Sequence, residues 1–387
     1  MANADPDRDF SEDEDEEVAM NHQATAPVEE NHVQPSPGSS KQNGNAMSHV
    51  DRYGFIGGSQ YTDPDDERRL PPEILRKREL KWLDMFDDWE KWMSKRFKKI
   101  KERCRKGIPP SLRSRAWQYL CGSRFLMENN KGRFENYLQQ SGDPKWMDDI
   151  QKDLHRQFPL HEIAHLGWGQ EDLFKILKAY TIHNPKDGYC QAQAPIAAVL
   201  LMHMPAEQAF WCLVSICEKY LPGYFSPGLE AVQVDGDVLF GLVKKTSPAI
   251  YKHLKKQDVI PILYMTEWFM CVFTRTLPWS SVLRVWDVFF CEGVKVLFRV
   301  ALVLIRISLG EPGTLSKCPS LYETLEALRR LPLHQLEEEG LIQETLRLNI
   351  SERDMEKEHQ KQIQRRRAKD KSKDSGRSKS KSRKTKT

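Results

Sequence analysis

The chain has 387 residues, with 59 Lys and Arg against 55 Asp and Glu and a net charge of +4. The first residues lack the basic-then-apolar order of a secretory signal, and no run of about 18 apolar residues is present to span a bilayer. A cytoplasmic protein without a membrane-spanning segment is therefore expected. The charge is uneven: residues 1–50 hold 11 acidic and 2 basic side chains, whereas residues 361–387 hold 13 basic and 2 acidic ones. All 10 Trp lie between Trp82 and Trp286. The middle is thus expected to fold around a large apolar core between two disordered arms of opposite sign. The 8 Cys form no CxxC pair, which fits buried thiols in a reducing compartment.

After the acidic arm comes a glycine-rich turn, Asp51-Arg52-Tyr53-Gly54-Phe55-Ile56-Gly57-Gly58. Pro71 and Pro72 open a helical pattern in which Trp82, Phe86, Trp89, Met93, Phe97 and Ile100 recur three or four apart. That spacing predicts one long amphipathic helix, ended by Gly107-Ile108-Pro109-Pro110. Ser111 is placed to cap the next helix, which carries Leu112, Ala116, Trp117 and Leu120 and stops at Gly122. Asp143 and Pro144 start a helix with Trp146, Ile150 and Leu154 on one face, ended by Phe158-Pro159. Leu173, Leu177 and Tyr180 mark another, stopped at Asn184-Pro185. Ala194 to Met204 is almost wholly apolar, and Pro205 separates it from Phe210, Leu213, Val214 and Cys217. Further patterns cover Tyr264–Arg275, Trp279–Phe290, Lys295–Ser308, Leu321–Leu331 and Gln335–Leu348. With no alternating run bounded by hairpin turns, the expectation is an all-α domain over about 72–350.

Candidate chemistry is sparse. No GxxxxGK[ST] loop and no GxGxxG opening a helix occur, so the chain is not expected to cradle a nucleotide by itself. His161-Glu162-Ile163-Ala164-His165 matches HExxH, which on a helix sets two His on one face for zinc. Pro159 upstream and Gly167 and Gly169 downstream leave barely two turns of helix, and no third ligand stands out. A metal site is therefore not expected. Asp153 and Arg156 stand three apart near a helix end, where a long cation can project past the last turn. Gln191, after Tyr189-Cys190, heads a buried helix.

These residues gain meaning together. Arg105-Lys106-Gly107-Ile108-Pro109 with Leu112-Arg113 and Trp117 resembles the opening of TBC domains, the Rab-family GTPase-activating proteins. Ile150-x-x-Asp153-x-x-Arg156 is similar to their arginine-finger motif, and Tyr189-Cys190-Gln191 to their glutamine-finger motif. Trp268-Phe269 and Arg284-Val285-Trp286-Asp287-Val288-Phe289-Phe290-Cys291-Glu292-Gly293 look like later family signatures. Tyr53-Gly54-Phe55-Ile56-Gly57-Gly58 and Ala192-Gln193 resemble the subfamily that includes carabin. Many family members have Gly where this chain has Ala192.

The resemblance implies a multi-helix TBC domain that stimulates GTP hydrolysis on a GTP-bound Rab, with a role in vesicle trafficking. Arg156 would be the arginine finger and Gln191 the glutamine finger. Asp153, on the same motif as Ile150, would fix the guanidinium, and Tyr189 would set the Gln191 backbone. Gly107, Ile108, Pro109, Trp117, Trp286, Asp287 and Gly293 would be structural. The chain would supply catalytic groups in trans rather than act on a small molecule of its own. It would need no cofactor, since GTP and Mg come with the GTPase. A non-catalytic Rab-binding scaffold is the alternative; the presence of both fingers favours catalysis.

The expected division is an acidic arm (1–50), an N-terminal flank (51–103), the TBC domain (104–315), a helical extension (316–358) and a disordered basic tail (359–387). The tail has two readings: a solvated run of charge, or a segment that would bind an anionic membrane, at about 1 kcal/mol per basic residue near the surface. That would place the protein on endomembranes or the inner plasma membrane. No aromatic residue or motif accompanies the tail to suggest nucleic acid.

Overall fold

A computed structural model describes residues 50–56, 70–165 and 167–384. The acidic arm before residue 50, together with Gly57 and Gly58, lies outside the described residues. Pro72–Asp87 (α1), Trp89–Lys95 (α2) and Phe97–Lys106 (α3) lead into Pro110–Cys121 (α4). Next come Ser123–Asn129 (α5), Arg133–Gln139 (α6), Pro144–Leu154 (α7), Glu162–His165 (α8), Gly167–His183 (α9), Gln193–Leu201 (α10) and Ala206–Ser215 (α11). A π-helical turn, Ile216–Tyr220, extends α11. The remainder comprises Glu230–Thr246 (α12), Pro248–Lys256 (α13), Ile262–Met270 (α14), Trp279–Glu292 (α15), Lys295–Leu309 (α16), Thr314–Lys317 (α17), Leu321–Arg329 (α18), Glu338–Arg347 (α19) and Glu352–Lys384 (α20). The fold is all-α: among the described residues, extended pairing is limited to the bridges Val50–Ile56 and Phe55–His161.

Two buried helices organise the packing. Every residue of α10 is buried; a helix apolar all round has no solvent face to offer, and α10 sits between α7, α9 and α11. The other is α15, which packs against α3, α4, α16 and α19. Trp286 on α15 is fully buried and donates its indole N–H to the Val272 carbonyl at 3.0 Å. To present that carbonyl, Val272 and Phe273 take left-handed φ values of 48° and 60°. This is why the helix expected over Tyr264–Arg275 ends at Met270.

Asp287 joins the chain's two distant signatures. It is wholly buried and accepts from the Ile108 N–H at 2.9 Å, from Arg113 Nε at 3.1 Å and from Trp117 Nε1 at 2.8 Å. Burial raises its pKa, and the Arg113 guanidinium and the three kinds of N–H donor oppose that rise. Arg284 completes the junction by donating to the Arg105 carbonyl at 2.7 Å. It lies against Gly107, whose φ is +92° and where a Cβ would come within 2.8 Å of Arg284 Nε. Pro109 precedes α4 in the extended conformation, and Gly293, at φ 78°, ends α15.

The His203 ring packs at a tilt against Trp117, centroids 4.8 Å apart, and donates from Nδ1 to the Val199 carbonyl at 2.9 Å. Burial, aided by the nearby Arg113 charge, lowers its pKa from 6.5 to about 4. The unfolded chain therefore binds a proton at His203 between pH 6.5 and 4 that the folded chain refuses. Stability is highest above the unfolded value and falls as the pH drops through this window, by about 3 kcal/mol in full. Urea midpoints at pH 7 and 4.5 should show this fall, and His203→Gln should reduce it, leaving the smaller share from His161, whose pKa burial also lowers.

Several elements differ from expectation. The long N-terminal helix is three helices, broken at Asp88 and Arg96, whose φ values are −135° and −128°. The breaks move the buried face, so Trp92 is buried while Met93 and Phe97 are exposed. Ser111 does not cap α4; Pro109 holds that position, and the Ser111 hydroxyl bonds Glu79. Helices α5, α6, α12 and α13 were not expected. Packed structure also continues past residue 358. α20 lies on α12, with Met355 and Gln362 buried and Arg366 bonded to Asp237 at 2.7 Å. The inward-facing positions of that stretch recur at helical spacing, but Glu358, His359, Gln362 and Arg366 are polar and give no apolar periodic signal. No helix among the described residues is long and apolar enough to cross a membrane.

Candidate functional site

Asp143 caps α7 by accepting from the Lys145 N–H at 2.9 Å, and Pro144 fills the first turn. The helix buries Ile150, Asp153 and Leu154 and packs on α9 and α10. It ends at Leu154, so Arg156 lies in the turn just beyond, not in the last helical turn. That turn is closed from below. The Arg156 N–H donates to the Asp153 carbonyl at 3.1 Å, and buried Gln157 sends its amide to the same carbonyl at 3.1 Å. The Arg156 side chain is left 60% exposed.

A second limb descends from α9 to α10. Gly188 takes φ +66°, and a Cβ there would lie 2.5 Å from the Trp146 ring of α7. The bare backbone thus lets this limb close against α7. Beyond it, buried Tyr189 donates its hydroxyl to Asp153 Oδ2 at 2.9 Å. Burial and that carboxylate push the Tyr189 pKa up, so the hydroxyl stays a donor. Gln193 is wholly buried; its Oε1 accepts from the Cys190 N–H at 3.0 Å. The Ala194 N–H donates to the Gln191 carbonyl at 3.2 Å. These bonds fix the turn and leave the Gln191 side chain at the surface. Ala192 has an ordinary right-handed φ of −66°, and its half-buried methyl packs against the core. Nothing in that backbone calls for Gly.

The limbs meet at one atom. Arg156 Nη1 lies 3.6 Å from Asp153 Oδ1, and Gln191 Nε2 lies 3.5 Å from the same oxygen. A buried carboxylate therefore holds the guanidinium and the amide side by side on an open edge. The contacts are long and the Arg156 side chain is mostly solvated, so the pair is worth only a few tenths of a kcal/mol and releases easily. The Tyr189 side chain reaches the Asp153 carboxylate, not the Gln191 backbone. The sequence gives no local sign of the bond made by Gln157, the turn-closing bond made by Gln193 or the Trp146–Gly188 contact.

His161, the first residue of the HExxH run, is spent on structure. His161 precedes α8 instead of lying on it; its Nδ1 accepts from the Ile163 N–H at 3.1 Å and its Nε2 donates to the Tyr53 carbonyl at 2.8 Å. Burial lowers its pKa and favours this neutral form. His165 is exposed. Among the described residues no cluster of His, Cys, Asp and Glu is arranged to hold a metal ion.

The Rab-GTPase-TBC domain family model matches residues 110–310. The chain belongs to this family. TBC1 domain family member 10B of Homo sapiens is 60% identical over 320 residues, covering 82% of this chain and 40% of that protein. Carabin of Mus musculus is 51% identical over 80% of this chain and 69% of its own length. The TBC1 domain family member whacked of Drosophila melanogaster is 51% identical, covering 79% of this chain and 85% of its own. This chain thus spans well under half of the human relative. A solved structure of a Chlamydomonas flagellar RabGAP TBC domain matches with a TM-score of 0.57 and 25% identity, over 77% of this chain and 99% of that one. The Ypt/Rab-GAP domain of Gyp1p shares the fold at a TM-score of 0.52 and 18% identity, over 65% of this chain and 90% of that one. The Gly107–Pro109 and Arg284–Gly293 motifs meet at the Asp287 junction, and the Asp153 and Tyr189 motifs meet at the open edge.

Proposed function

We propose that this TBC domain accelerates GTP hydrolysis on a GTP-bound Rab-family GTPase by presenting Arg156 and Gln191 to a nucleotide carried by that partner. The reading is carried by one observation: two surface side chains from separate limbs share a single carboxylate oxygen. That oxygen is a resting anion. A γ-phosphate oxygen entering the edge offers the same two donors a more highly charged acceptor. Hydrolysis builds charge on the phosphate oxygens and needs a well-held water. A guanidinium brings several fixed donors and cannot lose its proton, so Arg156 stabilises that charge. A primary amide both accepts and donates, so Gln191 can hold the water while donating to the phosphate. GTP and Mg arrive with the partner, and this chain contributes no cofactor.

The test is phosphate release from a panel of GTP-loaded Rabs. Stimulation of at least one by the wild-type chain, lost on Arg156→Ala or Gln191→Ala, supports catalysis. Binding without stimulation means a scaffold. Asp153→Ala should lower the stimulated rate by about 10- to 100-fold through misplacement of both donors. It should also cost about 1–3 kcal/mol in urea unfolding, because the buried Tyr189 hydroxyl loses its acceptor.

The basic residues of 361–387 are proposed to hold the protein peripherally at an anionic membrane. Deleting 369–387 spares the docked Gln362 and Arg366 and should lower binding to phosphatidylserine vesicles. Unchanged binding would contradict this.

A further inference from the structure

Residues 50–56 lie outside the span matched by the family model, yet they are built into the loop that follows Arg156. Asp51 closes the segment on itself, its carboxylate accepting from the Tyr53 and Phe55 N–H groups at 2.9 and 2.8 Å. The closed segment then grips residues 158–162 at several points. The Ile56 N–H donates to the Leu160 carbonyl at 2.6 Å, and the Glu162 N–H donates to the Gly54 carbonyl at 2.7 Å. His161 donates to the Tyr53 carbonyl at 2.8 Å. Gly54 has φ +92°, and a Cβ there would meet His161 Nε2 at 2.6 Å. Phe55 is buried, its ring centroid 4.9 Å from His161, 5.1 Å from Trp279 and 6.4 Å from Phe158.

Phe158 is what makes this grip matter to Arg156. It lies two residues on and is held at a left-handed φ of 44°, a conformation that a bulky side chain keeps only when its surroundings impose it. On the helix side, Gln157 anchors the turn to Asp153. On the far side, the anchors are Trp279, 5.5 Å away, and the strap. We infer that residues 50–56 are a strap that positions Arg156, with Phe55 as the positioning residue, by holding the Phe158–Glu162 stretch against which the arginine turn is braced. The inference rests on the proposed catalytic role of Arg156.

The test uses the full chain and a Rab that responds to it. Phe55→Ala should lower kcat by about 10- to 100-fold, with the KM for the GTP-loaded Rab unchanged, since no docking group is removed. Phe55→Leu, which keeps apolar bulk, should restore most of the rate. In an Arg156→Ala background Phe55→Ala should add no further loss, because no guanidinium is left to misplace. Gly54→Ala displaces the strap without emptying the core and should show the same kcat-against-KM split, which keeps the test open if Phe55→Ala does not fold. The strap is overturned by an unchanged kcat in either folded variant, by a rise in KM alone, or by an equal loss in the Arg156→Ala background. A wild-type stimulation that ignores Arg156→Ala sinks the catalytic reading itself, and the strap with it.

Discussion

Arg156→Ala is expected to slow stimulated GTP hydrolysis by about 10³- to 10⁵-fold. The size follows from what the guanidinium does in the transition state and from how little it does in the resting protein. At rest its side chain is 60% exposed and lies 3.6 Å from a single carboxylate oxygen. Removing it should therefore change folding stability by no more than about 0.5 kcal/mol. Arg156→Lys should recover little of the rate, because an ammonium is one compact, strongly hydrated charge without the planar fork. Single-turnover phosphate release, paired with urea unfolding of the same samples, checks both halves. A rate loss accompanied by an equal loss of stability would mean that Arg156 is a structural residue.

Asp287→Ala is the opposite case. Asp287 is wholly buried and is the common acceptor for Ile108, Arg113 and Trp117. Truncating it leaves the largely buried Arg113 charge without its partner and strands two further N–H donors. Breaking a buried ion pair in this way costs about 3–5 kcal/mol, a large part of the roughly 5–15 kcal/mol that separates folded from unfolded chains. Replacing Arg113 by Met in the same chain should recover part of the loss by removing the stranded charge. Recovery should be incomplete, because the Ile108 and Trp117 N–H groups still lack an acceptor. Urea denaturation at pH 7 reads the difference directly. A loss below about 1 kcal/mol would show that the junction is replaceable.

The two variants also show what the sequence could and could not convey. Helices with regular apolar spacing and Pro or Gly at their ends were legible, whereas Arg156 and Gln191 stood out only through the family resemblance of the motifs around them. Convergence was not legible as geometry. Asp153 and Tyr189 are joined across 36 positions and Asp287 and Ile108 across 179, and no local pattern encodes such distances. The breaks at Asp88 and Arg96 lacked the Gly or Pro that marks a bend. The bond from the Cys190 N–H to Gln193 was not legible, because a Gln just before an apolar helix gives no sign of whether its amide turns inward. The strap was legible only as a glycine-rich turn, since its partners at 158–162 lie more than 100 residues away and only the fold shows what Gly54 and Phe55 touch.

The central claim is that Arg156 and Gln191 converge on a nucleotide held by another molecule. The most direct measurement is binding of the full chain to a responsive Rab loaded with GDP, with and without aluminium fluoride, which completes a planar mimic of the phosphoryl group in transfer. A stable complex that requires aluminium fluoride and is lost on either Arg156→Ala or Gln191→Ala is the predicted result. Equal binding by wild type and both variants, or binding indifferent to aluminium fluoride, would contradict the claim.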